Sequence, residues 1–260
     1  MQLDKTRIAI RERNYLDVLD LALHVIRAYS RPLALAFALG ALPMMALNWW
    51  LLREYAELDF EIGAPAAYVI YMLILVFFEA PFATAPITLY LGNAVFTERP
   101  GLRRLARTFL DVLPQLFLLQ GLLRLWYFRW PFLNHVILLE RNPLVARDPR
   151  QKSTRKRALE VHAGFGADLF ARALFSLMIG TVLLLSIWLS VYAASAVLLA
   201  EYGWDNSMLL VWFPLALWLV VGYFAVARFL FYLDLRIRRE GWEVELILRA
   251  EGARWSRVSP

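Results

Sequence analysis

The chain has 260 residues, of which 60% are hydrophobic and 19% charged, with a mean hydropathy of +0.52, a formal charge of +6 and no cysteine. Globular domains are about 45–50% apolar and roughly a quarter charged, so a soluble fold is excluded; the missing thiols exclude disulfides, thiolate metal sites and cysteine nucleophiles. The basic excess is expected to face anionic lipid headgroups on the cytoplasmic rim of a bilayer, and no nucleic-acid partner is expected.

Residues 1–31 are charged throughout, so no cleavable signal peptide is expected. Within them Arg13, Asp17, Asp20, His24, Arg27 and Arg31 recur at spacings of 4, 3, 4, 3 and 4. That is a polar stripe on an otherwise apolar helix with Asn14 as its N-cap, and it predicts an amphipathic helix in the interface or against its own bundle. His24 is read as a member of the stripe.

A helix needs about 20 apolar residues to cross the hydrocarbon. The segments 32–52, 64–96, 171–199 and 208–233 meet this and predict full transmembrane helices. Trp49 and Trp50 form an interfacial belt at the far end of the first. Pro81 and Pro86 predict a kink in the second, because each ring removes a backbone donor.

Segment 108–139 is apolar enough to enter the membrane but is interrupted by Pro114, Gln120, Arg124, Arg129 and Pro131. Its flanks are both basic, with Arg103, Arg104 and Arg107 before it and Arg141, Arg147 and Arg150 after it. One crossing would strand a basic flank outside, and two crossings need about 40 apolar residues and a turn. The reading that satisfies both constraints is a re-entrant or tilted hairpin turning near 127–131, with a second limb shorter than a span. Across the chain basic blocks alternate with the acidic blocks Glu54, Glu57, Asp59, Glu61 and Glu201, Asp205. The basic loops stay inside, so both termini are placed in the cytoplasm. The scarcity of lysine beside arginine and the Ala/Leu richness suggest a GC-rich bacterial genome, hence a bacterial inner membrane.

The expected fold is therefore an all-α integral membrane protein: a leader over 1–31, a polytopic domain over 32–235 with four full helices and the hairpin, five to six membrane helices in all, and a basic cytoplasmic tail over 236–260. Two halves resemble one another. Tyr90-Leu91 precede Glu98 as Tyr232-Leu233 precede Glu240, which would make a parallel two-half pseudo-repeat.

Glu79, near the centre of the second span, is the sharpest candidate for function. A charge at mid-bilayer costs about 3 kcal/mol on insertion scales. Counting about 1.5 Å per residue, Glu79 and Arg124 fall at the same depth and could pair, either as a proton or solute site or as a structural ion pair. Arg172 and Arg228 lie near the cytoplasmic ends of their spans and are read as snorkelling, with no ligand. Asp234 with Arg238, and Glu245 with Arg249, have helical spacing, although 242–246 alternates like a strand. His24, His135 and His162 are widely separated, and neither a metal spacing nor a glycine-rich phosphate loop is visible. No enzymatic activity, cofactor or metal is expected.

The run His135-Val136-Ile137-Leu138-Leu139-Glu140-Arg141, followed by Asn142-Pro143 and a basic stretch, together with the run from Tyr232 to Leu246, resembles elements of bacterial multispan proteins similar to the membrane domain of glycerophosphodiester phosphodiesterases. The likeness covers about half of the chain. It implies a membrane domain without catalytic residues to carry over, and the soluble phosphodiesterase domain is not part of it. That family usually has six spans, from which the short hairpin limb departs.

The expected function is a non-enzymatic scaffold or anchor subunit of a membrane-associated complex, contacting headgroups or a cytoplasmic or membrane protein partner through Arg103, Arg104, Arg155, Lys156, Arg157, Arg236, Arg238 and Arg239. The alternative is a small-solute or lipid transporter using Glu79 and Arg124. Oligomeric state is left open.

Overall fold

The computed structural model describes residues 14–62, 66–95, 102–127, 130–146, 148, 151–164, 166–199 and 206–240. Among these it is all-helical, with no strand. Four helices are long and apolar enough to cross a membrane, Ser30–Glu57, Ala66–Ala94, Gly166–Leu198 and Met208–Arg238. They are the four expected ones, the second slightly shorter and the other three longer than expected.

Helix α1 (Tyr15–Ala28) starts at Asn14, whose extended backbone and N–H bond to Asp17 Oδ2 (3.4 Å) cap the first turn. Its apolar face buries Val18, Leu19, Ala22 and Val25, and its polar stripe of Asp17, Asp20, His24 and Arg27 is exposed. The helix packs on the last long helix: Tyr15 stacks on Phe231 with centroids 5.0 Å apart, and the Tyr223 hydroxyl donates to Leu19 O at 3.1 Å. The apolar face of α1 thus packs on the bundle, with the polar stripe turned outward.

Helix α2 (Ser30–Ile62) runs ten residues beyond the expected span, so the acidic block around Glu54 and Glu57 is helical and not a loop. The residues there are good helix formers, and no breaker intervenes before Gly63. Helices α3 (Ala66–Ala83) and α4 (Ala85–Ala94) form one bent rod. Pro81 and Pro86 each remove a donor, yet Thr84 N–H still bonds Ala80 O at 2.9 Å and its hydroxyl donates to the same carbonyl at 2.6 Å. The rod bends without breaking.

Helix α5 (Leu102–Leu116) passes through a π-helical turn (Phe117–Leu122) into α6 (Arg124–Tyr127). The chain then comes back through α7 (Leu133–His135) and a second π-helical turn (Val136–Glu140). Residues 128–129 of the expected turn lie outside the described residues. The ends of this segment meet: Arg141 Nη2 donates to Thr108 Oγ1 at 3.2 Å, and Gln115 Nε2 to Asn142 O at 3.2 Å. Leu116, Leu133, Ile137 and Leu138 fill the space between the limbs with Ala85 and Leu89 of α4.

A short helix α8 (Thr154–His162), capped by Ser153, leads to α9 (Gly166–Leu199) and, through a third π-helical turn (Met208–Trp212), to α10 (Phe213–Glu240). Helix α10 is the axis of the molecule, with α1, α4 and α9 against it. Helix α9 lies outermost, and its most apolar stretch is unburied. An apolar surface of that extent is what a lipid-facing helix presents. The expected tail boundary falls inside α10, which carries Arg236 and Arg238 on its last turns; the strand-like 242–246 lies outside the described residues.

Candidate functional site

Glu79 is 9% exposed on α3 and its Oε2 accepts a 2.8 Å hydrogen bond from Asn48 Nδ2 on α2. It forms no ion pair with Arg124. Arg124 Nη1 donates to Gln120 Oε1, one turn back, at 2.6 Å, and the guanidinium lies over the Phe77 ring at 4.2 Å. Phe77 precedes Glu79 by two residues, so the levels are close, but side chains two apart on a helix do not face the same way. Glu79 turns to α2 while Phe77 turns to the hairpin. The expected pairing is thus replaced by two separate polar contacts, and neither Asn48 nor Gln120 was picked out as a partner from the sequence.

The returning limb places His135 at the centre of the fold, 3% exposed, stacked on Tyr232 with centroids 5.3 Å apart and with no hydrogen bond at either ring nitrogen. Asn134 beside it donates to Pro81 O at 3.3 Å, a carbonyl at the bend of the α3–α4 rod. His162 is held differently: Nε2 accepts the Phe132 N–H at 3.2 Å and Nδ1 lies 2.7 Å from Ala158 O, which fixes a neutral ring with its proton on Nδ1.

Arg172 does not snorkel free. It bonds Asp168 Oδ2 at 2.9 Å, lies 3.6 Å from Asp234 Oδ2, and covers the Phe231 ring. Arg238 joins the same aspartate at 3.1 Å, the helical pair expected from its spacing. Arg228 is the exception. It has exposed surface and makes no hydrogen bond or ion pair, although Ala227 (0% exposed) and Phe229 (1% exposed) beside it are buried. One turn before Tyr232, it shares the face that meets the returning limb.

A second polar centre gathers where the hairpin ends. The Glu140 carboxylate accepts Arg157 Nε at 2.5 Å and Nη2 at 3.0 Å, the Tyr232 hydroxyl at 2.6 Å and Asn142 Nδ2 at 3.3 Å, with Arg236 Nη1 3.7 Å away. Burial alone would push this carboxyl up. The hydrogen bonds from Arg157 and Tyr232, with the charges of Arg236 and Arg157, hold it below its ordinary value. A 490 Å³ groove beside it is lined by Glu140, Asn142, Pro143, Gln151, Lys152 and Arg157. Lys152 reaches Glu160 at 2.7 Å, which keeps that carboxyl low as well.

The basic residues expected at headgroups or a partner therefore divide. Arg103, Arg155 and Lys156 are exposed. Arg157, Arg236 and Arg238 turn inward to Glu140 and Asp234, because a half-buried guanidinium is stabilised more by a carboxylate than by the rim. The side chains of Arg104 and Arg239 lie outside the described residues. Comparison with protein-family models, curated proteins and solved structures gives no match for this chain.

Proposed function

We propose that the protein is a non-enzymatic scaffold or anchor subunit of a bacterial inner-membrane complex, docking its partner on the cytoplasmic face. In this reading both termini are cytoplasmic, 108–139 is a re-entrant hairpin, and the two halves form a parallel pseudo-repeat. The likeness to the membrane domain of glycerophosphodiester phosphodiesterases fits a membrane component of this kind, and the phosphodiesterase activity itself is not carried over. The observation that supports docking best is the Glu140 centre. It ties the hairpin end, α8 and α10 into one unit, from which the exposed Arg155 and Lys156 project. A fixed array of exposed cations recruits an acidic surface at little entropic cost.

The test is charge reversal. Arg103→Glu, Arg155→Glu and Lys156→Glu change exposed positions, where substitutions are worth about 0.5 kcal/mol or less in stability. The triple variant is expected to assemble normally and to lose a co-purifying acidic partner by on the order of tenfold, with the wild-type interaction weakening as salt rises. Partner recovery unchanged by the reversal and by salt contradicts the reading. The second reading, a small-solute or lipid permease using Glu79 and Arg124, is favoured by one observation: Arg124 Nε is buried without an acceptor.

A further inference from the structure

We propose that Glu79 and Asn48 form an exchangeable intramembrane site for a monovalent cation, a proton or sodium. Glu79 lies midway along the 29-residue span Ala66–Ala94 and is 9% exposed. Its Oε2 accepts a hydrogen bond from Asn48 Nδ2 at 2.8 Å, and that donor is a neutral amide. Among the described residues no cationic side chain reaches the carboxylate. The charged groups of α2 nearest Asn48 on its far side are Arg53, Glu54 and Glu57, all exposed and more than a turn beyond it. Helix α4 and the π-helical turns Phe117–Leu122 and Met208–Trp212 carry no charged residue. Arg124 of the hairpin is taken up by Gln120 and the face of Phe77. A carboxylate in a low-dielectric interior calls for a positive partner or a proton, and the neighbouring side chains supply neither.

A second observation lies on the amide. Asn48 is 1% exposed, and its Oδ1 is buried with no hydrogen-bond partner. Buried polar atoms are ordinarily bonded, so the pair leaves an acceptor oxygen unused beside a carboxylate. A half-turn about the terminal torsion of the side chain exchanges Nδ2 and Oδ1. Oδ1 then meets the carboxylate at a separation that suits O–H···O as well as N–H···O. With a proton on Glu79, its O–H donates to Oδ1; with sodium, the two oxygens share the ion, since hard cations take carboxylate and carbonyl ligands. The close approach of α2 to the α3 end at Gly40 and Ala83 holds the two helices in register, so the pair is preorganised. The inference rests on neither reading of function, because a cation site requires no docked partner and no transported solute.

The purified full chain in mild detergent is treated with a hydrophobic carbodiimide, which reacts with protonated carboxyl groups. Labelling of Glu79 is followed by peptide mass spectrometry, with the exposed Glu54 as internal reference. Sodium chloride is compared with choline chloride at equal ionic strength over a range of pH. The wild type is expected to lose Glu79 labelling, relative to Glu54, by about tenfold as sodium or pH is raised. Loss with sodium assigns sodium; loss with rising pH and no sodium effect assigns the proton. Asn48→Leu, with Asn48→Ala beside it, is expected to need about tenfold more sodium or to move the pH midpoint by about one unit. Thermal unfolding under the same conditions reads the site without the reagent, and sodium or pH is expected to shift the wild type more than Glu79→Gln. A wild type whose labelling and unfolding follow neither sodium nor pH beyond those references overturns the proposal. So do folded Asn48 variants that respond as the wild type does.

Discussion

Replacing Glu140 with Ala is expected to destabilise the protein by about 3–5 kcal/mol, the range found when one member of a buried ion pair is removed. The side chains of Glu140 and Arg157 are 13% and 15% exposed, so water replaces little of what the substitution removes. Arg157 and the Tyr232 hydroxyl lose their acceptor together, and three parts of the chain lose their common tie. Thermal unfolding in detergent measures the loss. Glu140→Gln keeps the shape and one acceptor oxygen, and falls between Ala and the wild type. The pH dependence has a fixed sign. The folded carboxyl lies below its ordinary value of 4.5, so its contribution is complete above pH 4.5 and disappears as pH falls through the folded value. Acid lability in that window should be smaller in Glu140→Gln than in the wild type. High salt should change little, because the pair is buried.

Gly40→Ala is expected to cost about 1–3 kcal/mol despite replacing glycine in a helix by a better helix former. Alanine gains roughly 1 kcal/mol over glycine in a helix interior, so the steric cost must exceed that. At Gly40 an added Cβ would come within 1.9 Å of Ala83 O and 2.7 Å of Ala83 C. Both are backbone atoms at the end of α3, and no rotamer change relieves them. Helix α2 would have to part from the bent rod at the point where small residues allow their closest approach. Gly222→Ala is the control. Its Cβ would meet the Phe37 ring at 2.9 Å, and a ring can turn aside, so the change is expected to be near neutral. Equal unfolding temperatures for the two variants would contradict this account of the contact.

The sequence made the number and approximate places of the long helices legible because lipid demands unbroken apolar length, a one-dimensional property. It made α1 legible for a different reason: a helix half in contact with polar surroundings has a stripe, and Asp17, Asp20, His24 and Arg27 drew it. Inside the bilayer that signal vanishes, since the faces toward lipid and toward protein are both apolar. Depth could be counted for Glu79 and Arg124, but direction around the helix could not, and the expected pairing failed on direction. Charge near a span end does not mark the end of a helix either, since Glu54 and Glu57 continue α2. The Glu140 centre was the least legible of all. It joins residues 92 positions apart in the chain, and Tyr232 carried no mark of the hydroxyl's role.

The central claim is that 108–139 enters the membrane and returns to the side it came from, leaving the exposed basic residues together in the cytoplasm. The chain has no cysteine, so single cysteines can be placed without background. Arg103→Cys, Arg155→Cys and Glu54→Cys, each expressed in sealed cells, are treated with a membrane-impermeant maleimide before and after lysis. The account predicts labelling of position 54 in intact cells, with positions 103 and 155 both labelled only after lysis. Labelling of 103 and 155 on opposite sides of the membrane would mean a full crossing and would contradict it.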